Sequence, residues 1–208
     1  MLYHPAMTQH EIQRLFTVPG AWGGGSHELT LILGRVDDAS LASAREAVWT
    51  FPDLEGCWLR RDVEPANQAR VTASGAALKT ALHGIARIPG AGSVACATSV
   101  RREDDGRGWL HLHLPFGSLG TVLPLGDYPI DDGGDLSWRD ALDRWLCQLA
   151  EHVHRTVPFE LALVGWLDGQ PDALPSEPGE VPDERWIGYL VPGPEGLDWH
   201  PPNQGAPI

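Results

Sequence analysis

Residues 109–114 read Trp109-Leu110-His111-Leu112-His113-Leu114, a strict alternation of leucine with large ring side chains. A period of two is that of a β-strand, whose successive side chains point to opposite faces. Leu110, Leu112 and Leu114 then face a core, while Trp109, His111 and His113 share the other face. Val94, Cys96, Thr98 and Val100 alternate in the same way just upstream. Turn residues fill positions 103–108 between the two runs, so the pair reads as a hairpin.

Working outward, His27 to Leu33 puts Leu29, Leu31 and Leu33 on one face and predicts another half-buried strand. Asp38 caps a helix striped by Leu41, Ala44 and Val48, and residues 56–63 predict a strand closing a β-α-β unit. Ser74 caps a helix carrying Leu78, Ala81, Leu82 and Ile85, which Pro89-Gly90 stops. A capping-box pattern, Thr8-Gln9-His10-Glu11, opens a short first helix through Ile12, Leu15 and Phe16. Ser137 starts the longest helix, with Trp138, Leu142, Trp145, Leu146, Leu149 and Val153 on one stripe. Residues 159–167 are apolar almost throughout, as a central strand is, and 185–191 with 196–200 form a closing hairpin.

These elements predict a single α+β domain over residues 1–208. Its sheet is mixed but mostly antiparallel, with about six to eight strands and three or four helices mainly on one face. A glycine-rich loop at 17–26, a long loop at 115–135, an acidic flap at 168–184 and a loose tail at 201–208 are its irregular parts. Glu28-Leu-Thr-Leu and Glu160-Leu-Ala-Leu both open strands, a faint sign of duplication.

The formal net charge is −13, and it is unevenly placed. Residues 1–102 hold ten Lys/Arg against nine Asp/Glu, or +1; residues 103–208 hold five against nineteen, or −14. Without clustered cations the chain is not expected to bind nucleic acid. No apolar run approaches the roughly 18 residues of a membrane span, and the N-terminus lacks a basic, then apolar, secretory pattern. Three scattered cysteines, Cys57, Cys96 and Cys147, point to reduced thiols and a cytoplasmic protein. Lys79 is the only lysine, and Leu78 precedes it where a phosphate loop needs glycine.

The sharpest chemical feature is the pair His111 and His113, about 6–7 Å apart along one strand face and able to chelate a divalent metal. Glu151 and His154 are neighbours on a helix, a spacing seen at metal centres but also explained by the helix dipole. The run Asp127 to Asp135 invites a calcium reading that fails in register, since Asp132 falls at the turn glycine and Trp138 at the bidentate glutamate. Phe116-Gly117-Ser118-Leu119-Gly120 resembles a nucleophile elbow but lacks its first glycine and the helix that should follow. Trp22, Trp109, Trp186 and Trp199 lie outside the apolar stripes and form a candidate aromatic surface.

With no persuasive catalytic set, the chain is read as a non-enzymatic acidic binding protein, of an inhibitor or immunity type. It would contact a basic protein partner through Asp127, Asp131, Asp132, Asp135, Trp109, Trp186 and Trp199. No cofactor is required by that reading. One alternative is a small metal-dependent, hydrolase-like enzyme with His111 and His113 as ligands. Another is a small-molecule-binding protein with a pocket framed by Trp22, Trp109 and the 168–184 flap.

Overall fold

The alternating runs find their partners in one sheet. A computed structural model describes residues 14–125, 137–167 and 180–204. Its elements are β1 (Ser26–Arg35), α1 (Asp38–Trp49), β2 (Leu54–Trp58), β3 (Leu82–Ile88), β4 (Gly92–Arg102), β5 (Arg107–Pro115), the short α2 (Phe116–Leu119), α3 (Ser137–His154), β6 (Leu161–Gly165), β7 (Gly188–Gly193) and β8 (Gly196–His200). Eight strands form one sheet in the order β2-β3-β4-β5-β1-β6-β7-β8. Every pair is antiparallel, so among the described residues the sheet is not mixed.

The helix-side face is the main core. Leu29, Leu31 and Leu33 of β1 and Leu110, Leu112 and Leu114 of β5 meet Leu41, Ala44 and Val48 of α1. Leu142, Trp145, Leu146, Leu149 and Val153 of α3 complete the layer. The cap of α1 is Asp37 and not the expected Asp38, which is already the first helical residue: the Asp37 carboxylate accepts the Ser40 N–H at 2.8 Å. Strand β1 is buried at eight consecutive positions because it is central and covered on both faces.

Three expectations need correction. Residues 82–88 are strand β3, not helix, paired with β2 on one side and β4 on the other. A helix there would place Gly84 mid-turn, at a cost near 1 kcal/mol. In the strand, Gly84 and its partner Gly56 leave room for the Trp49 ring, which a Cβ at either position would strike. Trp49 Nε1 also donates to Thr98 Oγ1 at 3.0 Å, tying α1 to β4. Second, β1-α1-β2 is not a unit of neighbouring strands: β3, β4 and β5 lie between β1 and β2. Third, residues 201–204 are tethered, since Arg185 Nε donates to the Pro201 carbonyl and the Asn203 N–H to that of Arg185. Of the expected first helix only residues from 14 are described, and 14–22 there are turns.

The opposite face carries two apolar shoulders. Leu15, Phe16, Trp58, Ile85 and Ala95 form one with Trp22, whose ring meets Phe16 and His83 edge-on. Ile32, Leu161, Leu163, Ile187 and Tyr189 form the other with Trp109 and Trp186.

Candidate functional site

Between the shoulders, the middle of this face is polar. The register sets Glu28 and Ala97 on either side of His113, and Thr30 and Ser99 on either side of His111. Cross-strand neighbours of this kind stand about 4.5–5.5 Å apart at Cβ, within reach of one another's polar atoms. Glu28 Oε1 accepts from His113 Nδ1 at 2.9 Å, which leaves Nε2 to accept the Ser99 hydroxyl proton at 2.8 Å. Thr30 Oγ1 and His111 Nδ1 are 2.8 Å apart, and Glu28 Oε2 lies 4.0 Å from the same nitrogen. The rings of Trp109, His111 and His113 stack in succession, with centroids 6.1 and 5.6 Å apart.

Water reaches this strip only in part: the side chains of Glu28, His111 and His113 are 12%, 20% and 27% exposed. Burial, reinforced by His113 and Arg101, pushes the His111 imidazole down to about 4, with Glu28 pulling the other way. Burial lowers His83 as well. His111 is therefore neutral at neutral pH. In the unfolded chain the ring protonates near its ordinary 6.5, so between about pH 6.5 and 4 the unfolded state binds more protons. Stability then rises with pH through that window. Urea denaturation at pH 7 and 5 is expected to differ by about 2 kcal/mol, and His111→Gln to remove part of the difference. A wild-type profile flat over that interval would contradict the assignment.

The two histidines singled out by their spacing thus do converge with a carboxylate, but it is Glu28. Glu151 and His154 are on α3, on the helix side of the sheet: Glu151 is exposed, and the His154 ring packs on Phe159 at a centroid distance of 4.7 Å. Among the described residues, no three His, Cys, Asp or Glu side chains are placed to hold one metal ion. Ser118 is buried and its Oγ accepts the Ala95 N–H at 2.8 Å, so its hydroxyl ties α2 to β4. All three cysteines are buried; burial pushes Cys57 up to about 11 and Cys147 up to about 12, making them poor nucleophiles.

The aromatic surface divides. Trp109 and Trp186 belong to one shoulder of the polar face. Trp199 is on the helix side, over Gly188, where an added Cβ would collide with its ring. There it lines a cleft of about 310 Å³ with Asp140, Asp143, Arg144, Pro201 and Pro202. Asp127, Asp131, Asp132 and Asp135 lie outside the described residues. Glu28, Thr30 and Ser99 were missed as partners of the histidines because they are 85, 81 and 14 residues from them. The available signal was parity: each stands at a polar position of an alternating strand, opposite its leucines or their equivalents.

The chain matches no protein-family model, no curated protein and no solved structure. Among the described residues no helix is long and apolar enough to cross a membrane.

Proposed function

We propose that this chain is an acidic binding protein that contacts a basic protein partner through its C-terminal half. The observation that carries the reading is the cleft between the start of α3 and β8. It combines an aromatic ring, two prolines, two carboxylates and one cation, Arg144, with Asp140 exposed, in the half of the chain that holds −14 of charge. A partner's arginine or lysine can lay its cation over Trp199 while pairing with Asp140. Asp143 is already committed to His27 and Arg139, which leaves Asp140 for the partner. The acidic run 127–135 leads directly into α3 and adds four carboxylates next to that helix in sequence. Opposite charge speeds encounter and penalises wrong partners, the properties required of an inhibitor or immunity protein acting on a basic toxin such as a nuclease.

Co-expression with the product of each neighbouring gene tests this. The expected result is a stoichiometric complex that weakens as salt is raised, and that Asp140→Lys weakens by tenfold or more. No complex at low ionic strength, or one indifferent to salt and to Asp140→Lys, overturns it.

A further inference from the structure

The polar strip lies on the other face of the sheet from the cleft, and what it implies is independent of the binding reading. We propose that Ser99 is a nucleophile for acyl transfer, with His113 as its general base, Glu28 orienting that base, and carboxylic esters as the substrate class. The order of groups supports it. A hydroxyl hydrogen-bonds one imidazole nitrogen and a carboxylate holds the other, each at 2.8–2.9 Å. This is the arrangement by which a neutral histidine draws a proton from a serine, and it is recognised by geometry and not by chain order.

The surroundings fit the chemistry. Ser99, His111 and His113 are all half-buried, so a small ester can reach the hydroxyl while bulk water is reduced. His111 stands directly across from Ser99 in the strand register. In the tautomer in which Thr30 donates to its Nδ1, the His111 proton sits on Nε2, for which no hydrogen-bond partner is found among the described residues. That N–H is a donor for the oxyanion that forms as the carbonyl is attacked. Trp109, stacked on His111, extends an aromatic floor for the acyl group.

In the first step the Ser99 oxygen bonds to the acyl carbon and its proton passes to His113 Nε2. The same proton leaves with the alcohol as the ester C–O bond breaks. Water then attacks the acyl-serine, giving one proton to His113, which returns it to Ser99 as the carboxylic acid departs.

The test is covalent labelling of the full-length chain with a fluorophosphonate probe, with the adduct mapped by mass spectrometry, alongside hydrolysis of p-nitrophenyl acetate. The expected result is a single adduct on Ser99, loss of adduct and hydrolysis in Ser99→Ala, and at least tenfold slower labelling in Glu28→Gln and His113→Asn. Mapping on the wild-type chain needs no variant to fold. No adduct on the wild-type chain, an adduct at another residue, or a Ser99 adduct that forms as fast in both network variants overturns the proposal. None of these outcomes bears on partner binding, which is read at Asp140.

Discussion

Replacing Arg45 with leucine is expected to cost about 3 kcal/mol or more of stability, because a buried carbonyl left without its partner costs about 1–3 kcal/mol and Arg45 serves several. Arg45 is fully buried in α1, and its guanidinium is held by backbone carbonyls. Nη1 donates to Ala77, Leu78 and Thr80, and Nη2 to Ala73 and Ala76. Burial disfavours its charge, yet an arginine stays protonated in a protein. The irregular segment 73–80 has few backbone partners of its own, so this one side chain acts as its template. Leucine has the volume but no donors, and leaves several carbonyls without partners in a dry site. Arg45→Lys supplies three donors in place of five and is expected to recover less than half of the loss. Guanidinium denaturation measures the stability, and hydrogen exchange locates the damage at 73–80. A loss below about 1 kcal/mol would show that the segment holds itself.

Asp143→Ala is expected to cost a similar amount, about 3–5 kcal/mol, by leaving two buried groups uncompensated. Asp143 Oδ1 meets His27 Nε2 at 2.7 Å, and Oδ2 lies 3.3 Å from Arg139 Nε. The side chains of His27, Asp143 and Arg139 are only 2%, 5% and 10% exposed. Arg139 Nη2 also donates to the Trp186 carbonyl at 2.7 Å. One carboxylate therefore links α3, the start of β1 and the segment that enters the opposite shoulder. Loss of Asp143 should weaken all three joints together, with a change in near-ultraviolet circular dichroism as the packing around Trp186 loosens. In a cycle with His27→Leu, the double variant is expected to lose well under the sum of the singles. Additive losses would show that the three groups act separately.

Some of this architecture was legible in local pattern. The leucine alternations at 29–33 and 110–114 gave the correct inward faces, and the stripes of α1 and α3 gave the correct helix faces. The closing hairpin was legible too, because a tight turn involves residues a few positions apart, whereas the cap is Asp37, one position before the expected Asp38. Residues 82–88 were misread since Leu82, Ile85, Ala86 and Ile88 satisfy both a helical and an extended reading. Only Gly84 distinguished them, and its meaning depends on Trp49, 35 positions earlier in the chain. Arg45 and Asp143 were hidden for the same reason: a charged residue on an apolar helix face looks ordinary until its distant partners are in place.

The site shows the same division. That His111 and His113 share a face with Trp109 follows from the period of an extended chain and needs no fold. That the shared face also holds Glu28, Thr30 and Ser99 follows from β1 and β4 lying on either side of β5. Parity along a strand is a local property, written in every second residue. Strand order depends on which apolar faces bury best together and on the entropy of closing long loops, and no short stretch of residues encodes either. The alternation therefore marked the histidines, and the pairing of the distant β1 with the β4–β5 hairpin turned them into a hydrogen-bonded chain running from Glu28 to Ser99.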